Sequence, residues 1–520
     1  MSNSLNTEAQ TSGKNGVLRM TFVLIAIALE LVFVLSTILR FNAQAEWINV
    51  ITRLLALVIV LGIYSQHRSA SIKMPWIILV LLAPVLGVSL YVLIGINTHT
   101  RKMKKRYQEV DDALLSLLPV NDEVLSELKQ RYPSQGNLAG YIQHFSRYPV
   151  YRDTDVTYYD EASDGLESQL LELAKAEDFI FMEYHAIEEK ESFGRIRDVL
   201  ADRAAHGVEV RLFYDDMGSI GFITTDFVRR MEALGIHCRV FNPFAPGLNL
   251  FLNNRDHRKI TVIDGKVGFT GGYNLANEYF NIDAPYGYWK DTGLRLEGNA
   301  VRNLTAAFLE MWNAGSGKER EDLDFTRYLP ETDYVSQTSA FVQPYADGPM
   351  GGDHVGENVY ISMVEIARNY AWFITPYLIV TEELIHAFGL AAKRGVDVRI
   401  ITPGIPDKKI IYHVTRSYYN ALARNGVRIF EYTPGFCHCK MSVADDLMAT
   451  CGTINLDYRS LYHHFENGCW ICGGETPLDI KADFERTLAQ CEEVTEKYNT
   501  GRGRFLQFGQ LILRLVAPLL

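Results

Sequence analysis

The sequence predicts an α/β protein made of two similar halves, each a mixed β-sheet flanked by helices, carried behind N-terminal transmembrane helices. Three observations predict it. Long apolar segments are confined to the first hundred of the 520 residues. A helix–glycine–strand unit occurs twice, ~190 residues apart, as a duplicated architecture requires. One short motif rich in titratable side chains also occurs twice, its histidines being residues 257 and 438.

Charge divides the chain in the same way. The whole carries 51 Lys+Arg against 62 Asp+Glu, a net −11. Residues 1–100 hold six basic and three acidic side chains, and the remaining 420 hold 45 and 59. The body is therefore acidic, which argues against a nucleic-acid track, since that needs a basic face. Its length suits two or three domains of roughly 100–200 residues.

Residues 1–100 read as a membrane anchor. Met20–Leu39 is about the ~20 apolar residues needed to cross a bilayer, with Glu30 its one charge. Residues 47–64 are interrupted by Arg53, and residues 75–96 contain no charge. Two or three of these segments span, according to whether Glu30 and Arg53 are tolerated at mid-bilayer. Arg101, Lys102, Lys104, Lys105 and Arg106 follow directly, and by the positive-inside rule they place the following chain in the cytoplasm. Residues 101–148 read as a polar helical linker.

Residues 149–330 and 331–500 are the two halves. Ala205-His206-Gly207-Val208-Glu209-Val210-Arg211-Leu212 resembles Lys393-Arg394-Gly395-Val396-Asp397-Val398-Arg399-Ile400: a helix ends on glycine and an alternating strand begins. A second helix and strand follow each, ending in Gly235–Phe241 and Gly426–Phe430. Helices of ~10–15 residues alternating with short β-branched strands indicate αβ units. In residues 501–520, Phe505, Phe508, Ile512, Leu515 and Leu519 share one helical face beside three arginines. Such a basic amphipathic helix lies in the lipid interface or packs on the body. The seven cysteines are odd in number and irregularly spaced, which fits a reducing compartment and no disulfide framework.

The repeated motif is H-x-K-x4-D-x6-G-[GT]-x-N. It runs His257, Lys259, Asp264, Gly271-Gly272, Asn274 in one copy and His438, Lys440, Asp445, Gly452-Thr453, Asn455 in the other. Alternation along a strand puts His257 with Lys259, and His438 with Lys440, on one face. Glycine lets the backbone approach a ligand, and the asparagines add amide donors. If the halves pack about a pseudo-twofold axis, two His, two Lys and two Asn converge on one anion cradle of phosphoryl size. One imidazole can then attack phosphorus while the other protonates the departing alkoxide. Asp264 and Asp445 complete the catalytic motif but have the opposite parity, and Asp264-Gly265 is a turn dipeptide. They read as orienting or structural more than catalytic.

The paired motif resembles the phospholipase D superfamily, and with membrane segments in front it is most similar to the bacterial cardiolipin synthases of that type. Further stretches carry the likeness: Pro75–Leu79, Ile374-Thr375-Pro376-Tyr377, Gly404–Lys409 and Leu456-Asp457-Tyr458-Arg459-Ser460. The resemblance implies two phospholipase D-like halves and a ping-pong phosphatidyl transfer through a phosphohistidine, with no cofactor and no metal. Phosphatidylglycerol would be donor and acceptor, cardiolipin the lipid product, glycerol the leaving group, and the bacterial inner membrane the location. It implies His257 as nucleophile and His438 as general acid and base, the near symmetry leaving the reverse order open. Lys259, Lys440, Asn274 and Asn455 would bind phosphoryl oxygens. A carboxylate downstream of each motif would orient the imidazole through its second nitrogen, and Asp291 and Glu466 are the matching residues.

Other readings stay open beside it. Water as acceptor would make a hydrolase, and another alcohol a different phosphatidyltransferase. A nuclease is disfavoured by the acidic body, and an inactive scaffold by intact His and Lys in both copies. Cys437-His438-Cys439 and Cys469-x-x-Cys472 have zinc-like spacings, but strand parity sends their members to opposite faces.

Overall fold

The computed structural model describes residues 46–66, 69–92, 98–243, 254–315, 322 and 324–499, with isolated positions nearer both ends. Most of the segment 20–39 and most of 501–520 lie outside the described residues.

Glu46–Tyr64 forms a helix whose described face is apolar and exposed at Val50, Leu54, Leu57, Val58 and Leu61. The uncharged stretch 75–96, expected as one span, is broken. Helices cover Ala70–Leu82 and Pro84–Leu90, and Ala83 leaves helical geometry at φ −135° and ψ 72°. Pro84 is the cause: its ring disfavours helical backbone in the residue before it. The second helix folds close against the first, so that a Cβ at Gly87 would lie 2.5 Å from the Val80 Cα. Among the described residues no helix is long and apolar enough to cross a membrane.

Residues 98–146 are helical and belong to the body's core. Tyr107, Val110 and Leu114 recur at helical spacing along Thr98–Leu114 and are buried, as are Leu128, Leu138 and Ile142 from the next two helices. Tyr107 stacks on Phe465 at 4.9 Å.

The first half contributes β1 (Thr154–Tyr159), β2 (Phe179–Tyr184), β3 (Glu209–Asp215), β4 (His237–Phe241), β5 (Lys259–Ile263), β6 (Val267–Gly271), β7 (Tyr288–Lys290) and β8 (Gly293–Gly298). The second contributes β9 (Phe341–Asp347), β10 (Tyr370–Ile374), β11 (Leu378–Ile379), β12 (Asp397–Pro403), β13 (Arg428–Tyr432), β14 (Gly435–Cys437), β15 (Met441–Ala444), β16 (Met448–Gly452), β17 (Leu456–Asp457), β18 (Glu466–Cys472) and β19 (Cys491–Glu493). One sheet has the order β1-β8-β6-β5-β2-β3-β4, and the other β9-β18-β16-β15-β10-β12-β13-β19. The two orders match strand for strand, with β19 added at one edge. In both, three parallel strands made by αβ units continue into an antiparallel hairpin that carries the motif. Gly207 and Gly395 end equivalent helices at φ +91° and +96°, where a side chain would be strained.

Polar contacts join the halves through their buried faces. Asn467 Nδ2 donates to Thr270 Oγ1 at 2.7 Å, Tyr158 Oη to Asp483 Oδ2 at 2.6 Å, and Lys290 Nζ to Asp483 Oδ1 at 2.9 Å.

Candidate active site

His257 and His438 each stand just before a hairpin, on backbone that pairs with the opposite half. The His257 N–H donates to the Phe465 carbonyl at 2.9 Å, and the Phe465 N–H to the Arg255 carbonyl at 2.9 Å. On the other side β14 runs parallel to β7, and the His438 N–H donates to the Lys290 carbonyl at 2.8 Å. Each histidine is therefore laid beside the residue preceding the other half's carboxylate.

The consequence is a crossed pair of dyads. His257 Nδ1 lies 3.0 and 2.9 Å from the two oxygens of Glu466, and His438 Nδ1 lies 2.7 Å from Asp291 Oδ2. Asp291 follows the first motif in the chain and Glu466 the second, yet each meets the imidazole of the other motif. Both carboxylates are fully buried. Their surroundings explain the variable position of the motif. A Cβ at Gly272 would lie 2.0 Å from Asp291 Oδ1, so only glycine fits beside the short carboxylate. The counterpart Thr453 donates its hydroxyl to Glu466 Oε2, and Ser460 donates to Oε1 at 2.6 Å.

Lys259 Nζ donates to the His257 carbonyl at 2.7 Å, while Lys440 Nζ meets the His438 carbonyl and lies 2.8 Å from His438 Nδ1. Burial pushes both ammonium groups down, Lys259 to about 7, with Lys440 adding to that shift and Glu466 opposing it. Burial, then the neighbouring lysines, also hold both imidazoles neutral: His257 lies well below its ordinary range and His438 at about 4.

The histidines open on a cavity of about 600 Å³ that Asn274, Asn455, Tyr279, Trp289 and Tyr377 also line. Asn274 is committed within it, accepting from the Ala186 N–H at 3.2 Å and donating to Tyr279 Oη at 2.8 Å. Asn455 Oδ1 is buried without a partner.

Asp264 and Asp445 stand at the far ends of the two hairpins. Asp264 accepts from the N–H groups of Glu177, Asp178 and Phe179 at 2.8–3.0 Å, and Asp445 from those of Arg368, Asn369 and Tyr370 at 2.7–2.9 Å. Both have φ +52°, the turn geometry that Asp and Asn tolerate. Each pins the segment entering β2 or β10 and touches neither imidazole. Asp264→Ala should cost about 2–4 kcal/mol of stability, read as an earlier thermal melt. An unchanged melt with lost turnover would return Asp264 to the chemistry.

Other residues at the cavity went unread in the sequence. Arg255 is held by Asp215, with Nη2 to Oδ1 at 2.8 Å. The rings of His185 and His464 lie 5.1 and 5.4 Å from that of His257. Arg459, which the sequence offered only within the 456–460 stretch that carries the resemblance and with no role of its own, also lines the cavity. Parity was the available signal: Arg255 precedes His257 by two positions, and His464 precedes Glu466 by two.

For a metal, the one candidate group among the described residues is His257, His464 and Glu466, with ligand atoms within 4.8 Å of one another. An ion there would compete with Ser460 and Thr453 for Glu466. No described cysteine joins such a group, and all seven cysteines are free thiols.

The comparisons fall on the same architecture. The family described as cardiolipin synthase, phospholipase D-like domain, matches residues 168–312 and 360–488, once in each half. A family described as phospholipase D-nuclease N-terminal matches residues 53–95. A protein of Streptococcus mutans called uncharacterized is 41% identical over 456 residues, covering 88% of this chain and 98% of that one. A cardiolipin synthase of Geobacillus kaustophilus is 31% identical over 463 residues, covering 89% and 91%. Among solved structures, the phosphatidylserine synthase of Haemophilus influenzae shares the fold, with a TM-score of 0.57 at 11% identity, covering 74% of this chain and 98% of that one. A family match in both halves, with relatives above 30% identity along nearly nine-tenths of the chain, leads to one statement: the chain belongs to the phospholipase D-like cardiolipin synthase family.

Proposed function

We propose that the protein is a membrane-bound cardiolipin synthase that transfers the phosphatidyl group of one phosphatidylglycerol to another through a phosphohistidine. The observation that carries this reading is the crossed pair of His–carboxylate dyads on one cavity, joined to membership of the family.

In this reading the donor phosphodiester sits between the imidazoles, with Lys259, Lys440 and Asn455 near its oxygens. His257 Nε2 attacks phosphorus, the P–O bond to the glycerol headgroup breaks, and His438 supplies the proton to the departing alkoxide. The primary hydroxyl of a second phosphatidylglycerol then loses its proton to His438 and attacks phosphorus. The P–N bond breaks and cardiolipin leaves. One phosphodiester replaces another, and no water is consumed.

The order of roles draws support from the Nδ1 contacts. His257 Nδ1 meets only carboxylate oxygens, which puts its proton on Nδ1 and the nucleophilic lone pair on Nε2. His438 Nδ1 lies against Asp291 Oδ2 as well as Lys440 Nζ; as the imidazolium, with Nδ1–H held by Asp291, it presents Nε2–H to the leaving group. An anionic lipid between the imidazoles offsets the two lysines and raises the proton affinity of His438.

Lys259 gives a pH dependence. Its ammonium, at about 7 in the free protein, is stabilised by a bound anion, so binding takes up a proton over the window above 7. The apparent KM for phosphatidylglycerol should therefore rise as pH goes from 7 to 9. A flat or falling KM over that range would remove Lys259 from the donor site.

Residues 1–100 are read as a multi-pass inner-membrane anchor with the body in the cytoplasm. The outward apolar face of Glu46–Tyr64 and the basic run after residue 100 support that placement.

The test is to give the detergent-solubilised protein headgroup-labelled phosphatidylglycerol in the presence of EDTA. Cardiolipin and labelled glycerol should appear in equal amounts. Phosphatidate as the main product would make the protein a hydrolase, and loss of activity with EDTA would contradict a transfer that needs no metal.

A further inference from the structure

A second phosphatidylglycerol brings a requirement that water or a simple alcohol does not. Its attacking hydroxyl is separated from its own phosphate by a three-carbon glycerol. That anion must be held beside the phosphoryl site and outside it.

The cationic side chains at or beside the cavity are Arg255, Lys259, Lys408, Lys440 and Arg459 among the described residues. Arg255 is matched by Asp215 at 2.8 Å. Lys408 is largely exposed, 3.9 Å from Asp407 and over the ring of Tyr377. Lys259 and Lys440 are turned onto the carbonyls of their own histidines. Arg459 is left over. It lines the cavity, its Nε is buried with no hydrogen-bond partner, and none of the described carboxylates forms an ion pair with it. Burial without a partner lowers even its guanidinium, against the pull of the nearby Asp457.

His464 stands next to it, its main-chain N–H donating to the Arg459 carbonyl at 2.9 Å. Both ring nitrogens of His464 lack a hydrogen-bond partner, Nδ1 lying 3.4 Å from Glu466 Oε1. An imidazole without a hydrogen-bond partner and an unpaired guanidinium thus share one wall, 5.4 Å from the His257 ring at the imidazole. Elsewhere the cavity is lined by Glu278 and Asp407, and burial and nearby carboxylates push Glu278 up to about 7. Asp457, the carboxylate of the lining nearest Arg459 in the chain, forms no ion pair with it and accepts instead from the Ser460 N–H at 2.9 Å.

We propose that Arg459, with His464 beside it, forms the site for the phosphodiester of the acceptor lipid, separate from the phosphoryl site between His257 and His438. This rests on the phosphatidyl-transfer reading above. The site selects a lipid acceptor over water and small alcohols by holding its phosphate while its hydroxyl reaches phosphorus.

The test compares two acceptors on one phosphoenzyme. Phosphate-labelled dioctanoyl-phosphatidylglycerol is the donor, and either unlabelled dioctanoyl-phosphatidylglycerol or ethanol is the acceptor. Arg459→Gln should raise the half-saturating concentration of the lipid acceptor roughly ten- to hundredfold, the range for losing a charge-assisted hydrogen bond. Transfer to ethanol should change less than about threefold on the same scale. Arg459→Lys, which keeps the charge, should recover part of the loss, and it carries the comparison if the glutamine variant melts early. Glycerophosphoglycerol, the same phosphodiester without acyl chains, should compete with the lipid acceptor in the wild type and lose that competition in Arg459→Gln. Equal losses with both acceptors would make Arg459 part of the donor site, and an unchanged lipid acceptor would remove it from binding. Either result overturns the proposal. Failure of the wild type to transfer to either acceptor would instead overturn the underlying reading.

Discussion

Replacing either motif histidine by alanine is expected to cut cardiolipin formation by roughly 10⁴-fold or more, because each supplies a group that the other cannot replace. The two losses should differ in kind. In the proposed assignment His438→Ala lacks only the proton donor, so a donor whose leaving group needs no proton, such as a p-nitrophenyl phosphodiester, should still form the covalent intermediate. His257→Ala lacks the nucleophile and should form none with any leaving group. Because the two act as a unit, the double variant should be no slower than His257→Ala. Release of p-nitrophenol in a single turnover distinguishes the cases. Release by His257→Ala and not by His438→Ala would exchange the two roles.

The carboxylates should follow the crossed pairing. Asp291→Ala removes the partner of His438, and Glu466→Ala that of His257. Each should cost roughly 10²–10⁴-fold, as expected when an imidazole loses the group that fixes its tautomer. The p-nitrophenyl donor should rescue Asp291→Ala, which impairs the acid, and leave Glu466→Ala slow. An uncrossed arrangement predicts the opposite. Gly272→Ala should behave as a weaker Asp291→Ala, since its methyl group would need the space of Asp291 Oδ1. A rescue pattern following chain order would contradict the crossed dyads.

Much of this architecture was legible in the sequence. The repeated helix–glycine–strand units and the motif at 257 and 438 correspond to two sheets of matching strand order. Parity set Asp264 and Asp445 off the histidine face, and their carboxylates hold backbone at the far hairpin ends. The partner of each imidazole was not legible. It depends on β14 pairing with β7 and on the bridge from Asp256 to Phe465, contacts between segments ~150–200 residues apart that no local pattern encodes. Hydropathy merged 75–96 into one span because it ignores the break that Pro84 imposes on Ala83. Polar composition likewise hid the stripe of Tyr107, Val110 and Leu114, which makes the supposed linker part of the core.

The central claim is that phosphatidyl transfer passes through a covalent histidine. Its direct test is to mix the protein with phosphate-labelled phosphatidylglycerol, quench within one turnover and map the label by mass spectrometry. The account predicts an acid-labile, base-stable adduct on His257 that is lost when unlabelled phosphatidylglycerol is added as cardiolipin appears. Cardiolipin formed at full rate with no covalent label at any time would contradict it.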